Sequence, residues 1–320
     1  MQSTVLGCRS IRLASKRCSN GLPSLGCVAT KVWSRNSLPS IVTNVAKPDR
    51  YSRRQISVQT FASSSISSTV KDTENQALYM EMSPSELQSL AMKSARMDDP
   101  AIAHEALESL ADMKTTEDLS SVCTTVMDAW IKYQNQCLGQ LQESMDRKAK
   151  LRLLQDSHHA AKSASHILEK ILVNPSSHHS VAVLKAWANI VETSNKVGMS
   201  KESLVRGIPQ RMQHLLIQIY GKEEDRSTEA YNQILKAWAY SAEHLRGTMA
   251  EQIFEKMANP NGDSFRWIIR AWCWSSERRC TFTATQHYMR MMKLLENGDR
   301  DMEPTMEDYH ILFRSWTKAE

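Results

Sequence analysis

The side chains best equipped for chemistry in this 320-residue chain are its ten histidines and seven cysteines. His158-His159 and His178-His179 stand as adjacent pairs, and His104 precedes Glu105. A zinc centre needs His, Cys or carboxylate ligands converging on one point. Adjacent residues point to different faces of a helix, so neither pair converges. Both pairs read as surface histidines near helix ends. His104-Glu105 is not the H-x-E of zinc deaminases, and the C-x-x-C that accompanies it is missing. Cys123, Cys137, Cys273 and Cys280 follow Cys8, Cys18 and Cys27 with no C-x-x-C among them. That spacing opposes both a zinc site and a disulfide framework. The sequence holds no P-loop, no G-x-G-x-x-G and no G-x-S-x-G. Glu223-Glu224 and Asp98-Asp99 fall in predicted turns and read as solvated charge. No catalytic constellation emerges. The expectation is a protein that is not an enzyme and carries no cofactor or metal.

The elements that would position any site are marked by tryptophan. Trp130, Trp187, Trp238, Trp272 and Trp316 each follow Ala or Ser. Seven residues before them stand Cys123, Ser180, Tyr231, Phe265 and Tyr309. Four and three before stand Val126-Met127, Val183-Leu184, Ile234-Leu235, Ile268-Ile269 and Leu312-Phe313. Spacing of this kind is one face of an α-helix, here called helix A. The small residue before each Trp lets a neighbouring helix approach closely. A second pattern alternates with the first, at 106–110, 167–171, 215–219, 253–257 and 291–295. Two apolar residues, two others and an apolar residue form the stripe of a helix B. Pro175, Pro260 and Pro304 separate a B helix from the next A helix.

Neither helix can bury its stripe alone, so stacked hairpins share a continuous core. The expectation is an all-α chain of about five helix-turn-helix repeats over residues 84–320. Residues 84–96 and 100–113 form a degenerate leading pair, and 145–173 one lengthened helix. The last A helix lacks a B partner in the sequence, which suggests truncation at the C-terminus, an unusual cap or pairing with another molecule. No apolar run approaches the ~18 residues of a membrane span.

The first 70 residues differ from the rest. They hold ten Lys or Arg, one acid (Asp49) and fifteen Ser. Such arginine- and serine-rich, acid-poor composition marks a disordered transit peptide, followed by a linker at 71–83. Ser52-Arg53-Arg54-Gln55-Ile56-Ser57 resembles a mitochondrial processing site, with the plastid as the alternative destination. The whole chain is +5 and this segment +9, so residues 71–320 carry about −4. Net charge therefore gives the folded part no claim on nucleic acid.

Over about 84–320 the chain resembles the pentatricopeptide repeat family, most strongly at 227–272. Ala230-Tyr231-Asn232-Gln233-Ile234-Leu235 is similar to the family's T-Y-N-x-L-I opening of helix A. Pro260-Asn261 is similar to its closing P-D, and the period there is 34. Tetratricopeptide repeats share the length, but their Trp stands early in helix A. The resemblance implies a right-handed α-solenoid that binds single-stranded RNA along its A helices. It carries base-reading positions onto Thr124, Val181, Asn232, Arg266 and His310, and onto the closing residues Ser176, Ser227, Asn261 and Thr305. Of these only Asn232 with Asn261 is a familiar pair, implying a pyrimidine.

Positions six and two before each Trp and two after it share another face of helix A. They include Lys132, Lys185, Lys236, Arg266, Arg270, Arg314 and Lys318, against the single acid Asp128. Stacked, that stripe would build a basic groove able to track phosphates. Tyr240 and Trp274 are candidate stackers that also suit packing. The expected function is RNA binding in support of processing, stability or translation of an organellar transcript. The alternatives are a protein-binding helical scaffold or a subunit of an organellar ribonucleoprotein.

Overall fold

A computed structural model describes Tyr79 and residues 81–113, 119–172, 175–220 and 227–319. The presequence, most of the linker and Glu223-Glu224 lie outside the described residues. The described chain is all-α, with eleven α-helices and no strand. Six are A-type or lead the array: α1 (Pro84–Arg96), α3 (Ser120–Glu143), α5 (Ser177–Lys196), α7 (Thr228–Tyr240), α9 (Gly262–Trp274) and α11 (Met306–Ala319). Between them run α2 (Pro100–Asp112), α4 (Arg147–His166), α6 (Ile208–Tyr220), α8 (Arg246–Phe254) and α10 (Cys280–Glu296). Each A helix packs on the next A helix, and each B helix packs on the A helices before and after it.

The last four A helices start where the sequence provides a cap. The residue eleven before each of the last four marker tryptophans is Ser176, Ser227, Asn261 or Thr305. Ser176 and Asn261 form reciprocal capping boxes with His179 and Ser264. The Ser227 hydroxyl accepts from the Ala230 amide. Thr305 and Asp308 bond each other reciprocally at the start of α11. Short oxygen-bearing side chains satisfy amides that the first helical turn leaves unpaired. The first A helix departs, because Leu119 offers no side-chain acceptor.

The B elements follow the sequence less closely. The stripe at 167–171 is not a separate helix but a π-turn, Ile167–Ile171, that ends α4. α4 and this π-turn together span 147–171, close to the one lengthened helix expected at 145–173. α8 ends at Phe254, so the second half of the 253–257 stripe lies beyond it. The leading pair appears at Pro84–Arg96 and Pro100–Asp112, each with proline in its first turn.

The marker tryptophans enter the core as expected, with one exception. Trp130, Trp187, Trp238 and Trp272 are buried, while Trp316 is half exposed. The Trp187 indole donates to Ser165 of α4 at 2.8 Å, and Arg211 of α6 lies over its ring. Trp272 donates to Glu251 of α8 at 2.8 Å, where His287 of α10 also bonds at 2.7 Å. Each of these tryptophans therefore joins its own helix to the B helices on either side. Gly247 makes room for one of them, since a Cβ there would stand 2.5 Å from the Trp272 ring.

Candidate nucleic-acid interface

Six and two residues before the Trp, the side chains face the seam between successive A helices. Thr124 of α3 meets His179 of α5 at 3.0 Å. The Asn232 amide of α7 donates to Asn261 at 3.0 Å and accepts from Ser264 of α9 at 2.7 Å. Arg266 of α9 lies 3.6 Å from Asp308 of α11 and donates to the Glu303 carbonyl at 2.9 Å. His179, Ser264 and Asp308 all stand eight residues before their own Trp. Val181 and Ala230 hold the equivalent places at the α5–α7 seam, and both are buried and apolar. One register thus links polar with polar and apolar with apolar. Asn232 is buried, and its polar atoms are engaged within the chain.

Most of the expected cationic stripe is matched by carboxylates. Lys132 pairs with Asp98 at 2.6 Å. Lys236 pairs with Glu192 of α5 at 2.5 Å and reaches Asn189 at 3.4 Å. Arg266 also pairs with Asp263 at 2.8 Å. Arg270, almost fully buried, pairs with Glu307 at 2.8 Å and lies 3.5 Å from Asp308. Burial raises the Glu192 carboxyl, but hydrogen bonds from Lys196 and Lys236 outweigh it and hold the group below its ordinary value. Lys185, Arg314 and Lys318 are exposed and form no ion pair among the described residues. His310 is exposed as well. Ser176 and Thr305 are exposed, Ser227 and Asn261 half-buried, and all four serve as helix caps.

Across α7 and α9 the cations meet aromatic rings. Arg270 lies over Trp267 at 4.9 Å and Lys236 over the same ring at 5.9 Å. Tyr240 packs against Trp267 at 5.9 Å and against Trp274 at 5.3 Å. All three rings are partly exposed. A cavity of about 560 Å³ continues the strip, lined by Trp274, Glu307, His310, Ile311, Phe313 and Arg314. The structure therefore gathers Lys236, Arg270, His310 and Arg314 with Tyr240 and Trp274. It leaves Thr124, Lys132, Ser176 and Val181 in the earlier repeats.

Trp267 was not among the residues singled out by spacing. It stands five before the Trp marker, a position filled by Thr125, Ala182, Gln233 and Ile311 in the other A helices. Its signal was the unusual density of tryptophan in Trp267-Ile268-Ile269-Arg270-Ala271-Trp272-Cys273-Trp274. The neutralising acids Glu192, Glu307 and Asp308 were also missed. They belong to neighbouring A helices, outside the stripe register.

His158 is half-buried and meets Trp187 edge-on at 5.0 Å, while His159 is exposed and stacks on Trp130 at 5.5 Å. Their opposite directions agree with adjacent positions on a helix. His178 is exposed at the start of α5, as expected of a surface histidine near a helix end. His104, Glu108 and His166 come within reach of a common point. Trp130 donates its indole N–H to His104 Nδ1 at 3.0 Å. A neutral imidazole that accepts at Nδ1 carries its proton on Nε2. Nε2 therefore donates to Glu108, 3.1 Å away, and has no lone pair for a cation. Burial pushes His104 below its ordinary value, against the opposing pull of Glu108. The cluster is a hydrogen-bonded brace between α2 and α3. Burial likewise pushes the Cys273 thiol up to about 12, far from thiolate chemistry.

Comparison with protein-family models returns no match, and comparison with curated proteins returns none either.

Proposed function

We propose that the stacked hairpins form a right-handed solenoid of pentatricopeptide type that binds single-stranded RNA without catalysis. The observation that carries this reading is the aromatic and cationic strip of Lys236, Tyr240, Trp267, Arg270 and Trp274. Bases stack on aromatic faces whatever their identity, at about 1–3 kcal/mol per base. The cavity beside Trp274 offers room for one base, with His310 and Arg314 at its rim. Carboxylates neutralise four of the seven stripe cations, so phosphate contact falls to Lys185, Arg314 and Lys318. Affinity then comes more from stacking than from charge. The cargo is an organellar transcript, and residues 1–70 carry the address, to the mitochondrion ahead of the plastid.

The test is binding of a short single-stranded RNA pool across a salt series. Three phosphate contacts give a slope of log K against log salt of about −2, at roughly −0.7 per contact. Trp267→Ala and Trp274→Ala each weaken binding at every salt concentration. Changing Lys185, Arg314 and Lys318 together to Glu flattens the slope. The reading fails if no RNA binds at micromolar protein, or if all variants bind as the unmodified chain does.

A second reading is favoured by one observation. Glu192, Glu307 and Asp308 place negative charge along the same strip. Such a mixed surface also suits a protein partner, in a scaffold or an organellar ribonucleoprotein. RNA failure together with peptide capture on Trp267 and Trp274 would select it.

A further inference from the structure

α4 concentrates positive charge more than any other B helix. It holds Arg147, Lys148, Lys150, Arg152 and Lys162 against the single acid Asp156. α2 holds three acids and neither Lys nor Arg, and α8 one residue of each sign. Residues 71–320 as a whole carry about −4, so α4 runs against the charge of its own fold. Its cations do little for stability. In a first helical turn they oppose the helix dipole. Arg147 pairs with Glu202 at 3.1 Å, but Lys148, Lys150, Arg152 and Lys162 form no ion pair among the described residues.

Lys148, Arg152, Gln155, His159 and Lys162 stand at intervals of four, three, four and three, which puts them on one face of the helix. All five are exposed. The stripe is about 21 Å long, at about 1.5 Å per residue. It runs along the longest hairpin of the array, because α3 continues thirteen residues past Trp130 whereas α7 and α9 stop two past their tryptophans.

The chemistry of this face selects its occupant. A protein partner needs large anchors seated in pockets, a membrane needs an apolar face, and unpaired bases need aromatic platforms. In the hairpin no Phe, Tyr or Trp is exposed. Of its large apolar side chains only Met145, at the turn, and Leu151, at 36% exposure, reach solvent. Cations and an amide remain, and these bind phosphate oxygens and sugar hydroxyls. Paired RNA offers both groups on its outside. We propose that the outward face of α4 holds the backbone of a base-paired RNA stem. Lys148, Arg152 and Lys162 take phosphates, and Gln155 a ribose 2′-hydroxyl. This rests on the preceding reading only in taking RNA as the ligand: the A helices hold the single strand and α4 the stem.

Binding of the full chain to a blunt RNA duplex across a salt series tests it. Lys148→Glu, Arg152→Glu and Lys162→Glu combined make the slope of log K against log salt shallower by about 2–3, at roughly 0.7–0.9 per phosphate. Circular dichroism stays unchanged, because all three side chains face solvent. Gln at the same positions gives the same loss of slope without added repulsion. Lys256→Glu, Arg278→Glu and Lys293→Glu combined change net charge equally at other exposed positions and leave the slope unchanged. Residues 1–70 are common to every variant, so their charge cancels in the comparison. A DNA duplex of the same sequence binds several-fold more weakly, because it has no 2′-hydroxyl for Gln155. Trp267→Ala weakens single-strand binding and leaves the duplex unaffected, so failure of the groove reading and failure of this one are distinguishable. The proposal is overturned if the α4 and control variants lose affinity equally, or if the DNA duplex binds as tightly as RNA. It is also overturned if no duplex binds; capture by phosphatidylserine vesicles through the same cations would then assign the face to a membrane surface.

Discussion

α9 and α11 carry the same apolar pattern and meet opposite fates. Trp272 is 8% exposed and Trp316 48%. Phe265 and Ile269 are sealed, whereas Tyr309 and Phe313 at the same positions face solvent. The residues are not less apolar in α11. What differs is the neighbourhood, because α9 is packed by helices on both sides, whereas among the described residues α11 packs chiefly on α9 and α10. The stripe is thus a demand for a partner, and burial depends on whether the fold supplies one. Hairpin arrays behave this way because each unit is stabilised by its neighbours.

Substituting the tryptophans gives the widest separation between the two helices. Trp238→Ala empties a fully buried site and should cost about 3–5 kcal/mol. Trp316→Ala removes a half-exposed ring and should cost less than about 1 kcal/mol. Urea denaturation measures both. Equal losses would dissolve the distinction between α11 and the internal helices.

The seams come next. Asn232→Ala strips the α7–α9 junction of its amide and leaves Asn261 and Ser264 each without one partner. A cost of about 1–3 kcal/mol is expected for the buried groups left unpaired. If Asn232 reads a base instead of holding the seam, thermal stability will be unchanged and only RNA affinity will fall.

Glycine offers a paired test with opposite signs. A Cβ at Gly262 would stand 2.0 Å from the Asp301 carbonyl oxygen, in the segment that leads into α11. Gly262→Ala should therefore destabilise by about 1–3 kcal/mol and loosen α11 first. Gly139 is exposed inside α3 with open space around its Cβ position. Gly139→Ala should stabilise by about 0.5–1 kcal/mol, because alanine costs less backbone entropy in a helix. Thermal unfolding of the two variants side by side shows whether the signs differ.

The smallest effect is in pH, and it separates the early repeats from the late ones. Burial lowers the pKa of His104 and of His158. The unfolded chain then binds protons that the folded chain refuses. The stability these neutral histidines contribute is present above the unfolded value near 6.5 and is lost as pH falls through the folded values. Glu251 in α8 titrates lower. Burial raises its carboxyl, but hydrogen bonds from His287 and Trp272 outweigh burial and leave it below its ordinary value. Its contribution is lost only below the usual carboxylate range. Hydrogen exchange along an acid titration should show the α2–α5 amides weakening before those of α8–α10. His158→Gln should reduce the first loss.

Several features were legible in the sequence because they are local. The interval of seven, four and three residues before Trp fixed the A helices and, in all but α11, their buried face. Pro84 and Pro100 opened the leading pair at the expected places. Ser176, Ser227, Asn261 and Thr305 were singled out by the family resemblance, which implies base reading, and in the structure they cap helices. The π-turn at Ile167–Ile171 was not legible, because its stripe looks like that of any B helix.

The sequence by itself determined a helical register, a small residue beside each Trp and an excess of cations on one face of the A helices. Only the tertiary structure decided what those cations do. Lys236 finds Glu192 and Arg270 finds Glu307 across helices that periodicity cannot align. Only the tertiary structure also decided that Trp238 is core and Trp316 is surface. The physical reason is the same in both cases. Helical periodicity is set by bonds between residues four apart, whereas burial and ion pairing depend on which other helix arrives.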